Sequence, residues 1–446
     1  MDVTALALRA AAARPCVLLA TVPGGASVRL AAERLLRLRD WPQASTPAQA
    51  DLLLVAGPGC PTLRAALERL WQDLPAPRAR VHARSADEVE AALDSGQALL
   101  GSPGVQRELP AAPEAGGHQG GGHGTQERHG AGQDREAERG DGGHAHDDQD
   151  ADGHGGHGRQ GGHGGHGGHG GHGGHGSGDM ETPGGLPMAG QGEDRDGLTL
   201  DQLHVPLGPF LSDWPTGLTI RLVLQGDVVQ QAGVDEPATP AAGAVVEPFW
   251  VQPWLRTAAG EPVQAGEAVR RRAAAHLDSL GRLLAVAGWP AEAVSARRLR
   301  DDLLCGAPRA AVAPRLERLA RRVGRSRTLA WLTRGIGVVT AQQAREAGVS
   351  GPAARAGGDV TARYRQWLTD IRRDLHRLEE SSPLQPAVEE SPRGLWNSRH
   401  PPSAALIALL PRLLEGAELA AARLVVAGLD PDPEELAACA VEVARG

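Results

Sequence analysis

Lysine is absent from these 446 residues, and all 46 basic side chains are arginines. The chain is also rich in Ala, Gly and Pro, so the arginine excess reads as compositional bias rather than phosphate recognition. The net charge is −8, and no basic stripe with interleaved aromatics occurs. That argues against a nucleic-acid-binding surface. Cysteine is scarce: Cys16, Cys60, Cys305 and Cys439 stand far apart and form no CxxC pair. Neither a disulfide framework nor a local zinc site is indicated, and a reduced compartment is expected. No apolar run approaches the ~18 residues of a spanning helix. Asp2, Arg9 and Arg14 interrupt the first apolar stretch and argue against a secretory signal. A cytoplasmic protein is expected, peripheral on the cytoplasmic face of a membrane only through partners.

What is present suffices for globular parts: 41% of the chain is apolar, and its length allows two or three domains. The expected fold class is α+β overall, divided at 1–106, 107–196 and 197–446. In the first part, apolar runs at Cys16–Val22, Leu52–Ala56 and Arg80–Ala83 read as strands. Helical stripes fall at Ser27–Leu38, Thr62–Leu74 and Ala86–Leu93. Strand–helix alternation predicts a small parallel α/β unit. In the last part, Leu218–Leu224 and Val228–Val234 flank Gln225-Gly226-Asp227 and predict a β-hairpin. Leu277, Leu280 and Leu284 repeat at helical spacing, as do Val312, Leu316, Leu319 and Val323. Tyr364, Leu368, Ile371, Leu375 and Leu378 form another stripe, and helices over Ser403–Leu414 and Glu418–Val426 follow. The hairpin therefore leads into a mostly helical bundle.

Between these parts lies a tract of Gly, His, Gln, Asp, Glu and Arg, too poor in apolar groups to offset its ordering entropy and expected to be disordered. Twelve of the 17 histidines fall between His118 and His175. His154 and His157 precede a Gly-Gly-His repeat at His163, His166, His169, His172 and His175. Spacing of three with flexible glycine lets neighbouring imidazoles converge on one ion. Imidazole-rich sites suit Ni or Zn, and Asp147, Asp148, Asp150 and Asp152 offer oxygen ligands.

The segment Trp331–Gly358 carries the most specific pattern. Arg334-Gly335-Ile336-Gly337 precedes a short helical pattern, then Gly351-Pro352 and Arg355-Ala-Gly-Gly358. This resembles a signature of the D subunit of respiratory NADH:quinone oxidoreductase (complex I), a relative of the nickel-iron hydrogenase large subunit. Further pieces resemble that subunit in the same order: Gly208-Pro209 with the hairpin Leu218–Asp227, Arg282, Gly358-Asp359 with Arg363-Tyr364, Ser391-Pro-Arg-Gly394, Arg399–Ser403, Leu410-Pro411 and Leu429-Asp430-Pro431. More weakly, Ala50–Gly57 and Ala65–Pro77 resemble the complex I B subunit. The resemblance implies a D-type hairpin and bundle behind a degenerate B-type unit. Partners would be other subunits of a complex I-like or membrane hydrogenase-like assembly, whose family activity is quinone and NADH oxidoreduction.

The residues that carry chemistry in that family do not match. A four-thiolate iron–sulfur cluster needs four cysteines, and only Cys16 and Cys60 lie in the first unit, so no cluster is expected. The loop Phe210–Gly217 lacks the two histidines of the quinone site, and His204 upstream reads as a surface residue. Gly208, Pro209, Asp213 and Gly217 stand as a remnant of that site, with Asp213 either meeting a headgroup or forming a turn. Cys305 and Cys439 are single, which excludes the hydrogenase metal centre. Arg334 is expected to form a salt bridge or cap, and Gly335, Gly337 and Gly351 to serve positive φ or close helix approach. The chain is thus expected to supply interface rather than catalysis. The alternative is a Ni- or Zn-handling accessory protein acting through its histidine tract. An active quinone-reducing subunit with a rewired site is the third reading. Deleting residues 118–175 is expected to abolish retention of Ni or Zn by the purified chain, measured by elemental analysis after dialysis.

Overall fold

The computed structural model describes residues 8, 10, 12–108, 190–193, 199–238, 247–397 and 399–436, with backbone alone at 190–193 and 199–200. The histidine tract, including His154 to His175, lies outside the described residues, as does Cys439. Met1–Pro113 and Ala189–Gly446 belong to one compact unit. The fold is mixed α and β, with one parallel and one antiparallel sheet.

Strands β1 (Val17–Thr21), β2 (Leu52–Ala56) and β3 (Ala79–Ala83) form the parallel sheet with β2 in the middle. Val17 pairs with Leu52, and Leu52 with Ala79. All five residues of β2 are buried, because alternate side chains enter cores on opposite faces. On one face Leu52, Leu54 and Val17 meet α1 (Ala26–Leu38) and α3 (Val89–Leu100) through Val28, Leu36, Leu93 and Leu100. On the other, Leu18, Leu53 and Val55 meet Leu67 of α2 (Arg64–Gln72), together with Leu63 and Leu74. Helix α3 runs about two turns beyond its predicted end at Leu93. Gly96 permits this, since a Cβ there would lie 2.6 Å from a Leu52 methyl. A short helix α4 (Pro103–Glu108) ends this part.

The predicted hairpin belongs to a larger antiparallel sheet, ordered β4 (Gly190–Glu193), β5 (Thr199–Leu207), β6 (Ile220–Gln225) and β7 (Val228–Val234). The sequence concealed β5 because Pro206 sits inside it, opposite Arg221, and proline normally argues against an interior strand. Strand β4 lies within the stretch expected to be linker. Gly226 turns β6 into β7 at φ 60°.

The bundle comprises α5 (Gln252–Ala258), α6 (Ala265–Val286), α7 (Pro290–Leu304), α8 (Arg309–Arg325), α9 (Arg327–Thr333), α10 (Ala341–Glu346), α11 (Gly351–Ala356), α12 (Val360–Leu375), α13 (Pro402–Leu414) and α14 (Leu419–Leu429). Helix α6 is its axis. Leu277, Leu280 and Leu284 pack with Leu316, Leu319, Tyr364, Leu368 and Ile371. Leu30 of α1 joins the same core, so the parallel-sheet part and the bundle share apolar packing. A second core joins Ile220, Leu222 and Leu224 of the antiparallel sheet to Leu406, Leu410, Val425 and Leu429. Among the described residues no helix is long and apolar enough to cross a membrane.

The turn between β1 and α1 is sterically closed. A Cβ on Gly25 would sit 2.2 Å from the Ala56 carbonyl oxygen. Gly25→Ala is therefore expected to lower unfolding free energy by about 1–3 kcal/mol in denaturant titration. Gly233→Ala, where an added Cβ meets nothing within 4 Å, should change it by less than about 0.5 kcal/mol.

Candidate functional site

The residues matched to the quinone-site loop lie between β5 and β6, against the parallel-sheet part. Gly208 has φ 96°, and a Cβ there would sit 2.1 Å from the Leu218 carbonyl oxygen. Trp214 closes the loop by donating from Nε1 to that same oxygen at 2.8 Å. Gly217, at φ 74°, abuts Pro23, whose Cγ would lie 2.9 Å from an added Cβ. Ser212 Oγ donates to the Ser45 carbonyl at 3.1 Å. Asp213 adopts φ 58°, the left-handed turn conformation that aspartate tolerates. Its carboxylate pairs with Arg297 of α7, so it is engaged within the chain. Burial pushes its pKa up, while Arg297 pulls it down; the net displacement is upward.

Beneath the loop lies a cavity of about 50 Å³, lined by Leu19, Thr21, Arg29, Pro209, Asp213 and Arg282 among others. That is room for a few waters, well short of the ~300 Å³ at which small-molecule pockets begin. The space is limited by an ionic network across the seam. Arg29 of α1 bonds Glu33 at 2.7 Å and Asp278 of α6 at 2.8 Å. Arg300 of α7 reaches Glu33 at 2.8 Å and Asp278 at 2.5 Å, and also bonds Asp301 at 2.8 Å. Arg37 pairs with Asp301. Arg300 and Asp278 are buried. Burial alone would raise the Glu33 carboxyl, but Arg29 and Arg300 outweigh it and hold it at about 2. Asp278 lies well below the usual carboxylate range for the same reason.

The network continues into positions matched to the family from far apart in sequence. Arg282 bonds Asp430 at 2.5 Å. Asp430 also receives Ser279 Oγ at 2.5 Å and Arg393 Nη2 at 2.7 Å. Arg363 is buried and donates to the carbonyls of Gly337, Gly358 and Gly428 at 2.8, 3.0 and 3.1 Å. Burial lowers it to about 10. Gly337 has φ 57°, and its missing Cβ would meet Val425 at 2.8 Å. Gly351, with φ 68°, lies where a Cβ would be 2.6 Å from the Arg393 carbonyl. Pro352 is buried in the first turn of α11. Arg355 bonds Asp370 at 2.9 Å and pairs with Glu390. Gly335 has φ 77° and donates its N–H to Asp359 at 2.7 Å.

Arg334, expected to form a salt bridge or cap, is the C-cap residue of α9. Its side chain is exposed and has no ion pair among the described residues; only its backbone N–H, bonded to Ala330, ends α9. Arg363 of α12 is the arginine that secures the glycine segment. His204 is exposed. Cys60 is buried, with Sγ 3.2 Å from Thr62 Oγ1. Burial, with Asp51 in addition, raises the Cys16 thiol. Among the described residues no group of three His, Cys, Asp or Glu is placed to hold a metal ion.

Sequence reading did not single out Arg29, Glu33, Asp278 or Arg300. A signal existed: Arg29, Glu33 and Arg37 recur every four residues along one face of α1, and Asp278 interrupts the apolar stripe of α6. Such patterns ordinarily mark a solvated face, and only the packing of α1 on α6 and α7 turns them inward.

No protein-family model matches the chain, and no curated protein matches it. Among solved structures it is similar to a chain from the membrane-bound sulfane sulfur reductase, an archaeal respiratory membrane complex, at 17% identity and TM-score 0.38. The match covers 53% of this chain and 98% of that one. At that TM-score the likeness carries no inference about activity.

Arg300→Ala leaves Glu33 and Asp278 buried beside an incomplete set of partners, so a loss of about 3–5 kcal/mol is expected in denaturant unfolding. Arg334→Ala should stay within about 0.5 kcal/mol. Glu33 has a folded pKa below its ordinary value of 4.5. Its stabilising contribution is therefore present above pH 4.5 and lost as pH falls toward 2. Thermal unfolding across that window should show the loss, and Glu33→Gln should flatten it.

Proposed function

We propose that this protein is a non-catalytic subunit of a complex I-like or membrane hydrogenase-like respiratory assembly, contributing packing surface in place of redox chemistry. The ordered sequence resemblance to a D subunit, preceded by a B-like unit, supports the family association. The observation that carries the loss of chemistry is the closed seam. Loop 208–217 covers about 50 Å³, Asp213 is tied to Arg297, and Arg29, Glu33, Asp278 and Arg300 satisfy one another. A quinone headgroup has neither space nor a free protonatable partner there. The first unit likewise offers two cysteines where a four-thiolate cluster needs four.

Affinity purification from native membranes tests the proposal. Subunits of a respiratory complex are expected to co-purify with the chain and with a version lacking residues 118–175, at equal yield. Iron and acid-labile sulfide should be absent from the isolated chain. Recovery of no partner from either version, with Ni or Zn bound only by the full chain, would favour the metal-handling alternative. Iron–sulfur absorbance in the isolated chain would refute the proposal.

A further inference from the structure

The segment that follows α14 carries more buried negative charge than its surroundings neutralise. Asp430 is fully engaged by Ser279, Arg282 and Arg393. The three carboxylates after it are not. Asp432 Oδ2, Glu434 Oε2 and Glu435 Oε1 are buried with no hydrogen-bond partner among the described residues. Arg393 Nη1 also lacks a hydrogen bond and stands 3.7 Å from Asp432 Oδ2. Burying an ionised, unpaired carboxylate is so costly that the group takes up a proton instead.

The partnered oxygens show what the segment holds. Glu434 Oε1 accepts the N–H of Gly24 at 3.1 Å. Gly24 lies in the turn before α1, whose N-cap, Gly25, supplies no side-chain cap and has no room for one beside Ala56. The far end of the chain therefore supplies an acceptor to this turn, through Gly24 and the first helical residue, Ala26. Glu435 Oε2 accepts the Ser403 N–H at 3.0 Å, and Ser403 Oγ accepts the Asp432 N–H at 2.9 Å. The segment thus ties the β1–α1 turn to the start of α13.

We propose that residues 430–436 form a proton-operated clasp, closed on the Pro23–Ala26 turn and the start of α13 while Glu434 and Glu435 are protonated, and released when both ionise. The charged groups facing it are Arg29 from α1, Asp278 and Arg282 from α6, Arg393 from the 391–394 turn, and Asp430 and Asp432 from the segment itself. Burial first, then the Asp432 charge, pushes Glu434 up to about 8 and Glu435 up to about 7. Both lie above the ordinary value of 4.5, so their contribution is complete below pH 4.5 and is lost as pH rises through 7 and 8. The direction is opposite to that of Glu33, so the two ends of the seam respond to opposite pH changes. The clasp depends on this chain alone and is independent of any assembly.

Hydrogen–deuterium exchange on the full chain tests it, with rates corrected for intrinsic pH dependence. Peptides covering 22–30, 400–410 and 428–436 are expected to lose roughly tenfold protection between pH 6 and pH 9. The double variant Glu434→Gln/Glu435→Gln should retain its protection at pH 9. Equal wild-type protection at both pH values, or the same loss in the double variant, overturns the clasp. Potentiometric titration gives a second readout: at pH 6 the native chain should bind more protons than its unfolded form, and this excess should fall by about one to two in the Glu434→Gln/Glu435→Gln variant. No excess there would overturn the clasp, as would a divalent cation held one per chain through dialysis and lost on the Glu→Gln changes.

Discussion

Arg300 is the residue on which the architecture turns. It is buried and bonds carboxylates from three directions: Glu33 on α1, Asp278 on α6 and Asp301 beside it on α7. Removing these charges from water is expensive, and only near-complete mutual satisfaction offsets the cost. The orientation of α1 against α6 and α7 is therefore narrowly defined. A rotation of α1 that withdrew Glu33 would leave a guanidinium and a carboxylate unpaired in the interior. Apolar packing of Leu30 with the bundle core supplies area, but area alone is tolerant of sliding, whereas paired charges are directional.

That constraint accounts for the state of the neighbouring loop. With Arg29 and Arg300 committed to Glu33 and Asp278, and Arg297 to Asp213, the carboxylates lining the seam are already paired, while Arg282 Nε has no hydrogen-bond partner among the described residues. A site that binds a substrate headgroup must keep donors and acceptors available and water-filled space to exchange for the ligand. Here the carboxylates are engaged and the space amounts to a few waters. The interface has the chemistry of a joint, in which polar groups specify geometry.

The same network explains why the family-matched positions lie where they do. Arg282, Arg363, Arg393 and Asp430 are separated by up to 148 residues in pairs that touch, yet they form one continuous framework with the glycines at 337 and 351. Each arginine holds backbone carbonyls or a carboxylate at the end of a helix, and each glycine allows the backbone approach that the arginine bonds require. Positions that resemble the signature of a redox-complex subunit are, in this chain, positions that hold helix ends together. The excess carboxylates at 432, 434 and 435 lie at the edge of that framework, where arginine partners run out.

By itself the sequence determined the strands Leu52–Ala56 and Val228–Val234, the parallel α/β unit and the long bundle helices, because hydrophobic period is a local property. It also determined the lack of a four-cysteine cluster in the first unit and of histidines in loop 210–217, since composition cannot be altered by folding. It did not reveal β5, because Pro206 contradicts the local rule and only pairing with β6 overrides it. It left Arg334 as either a salt bridge or a cap, and the fold makes it the C-cap of α9, while Arg363 holds the glycine carbonyls from another helix. Whether Arg29, Glu33 and Asp278 face water or one another was decided only by tertiary structure, since identical charge spacing serves a solvated face or a buried network. The difference is what packs opposite, and that is set by contacts hundreds of residues away.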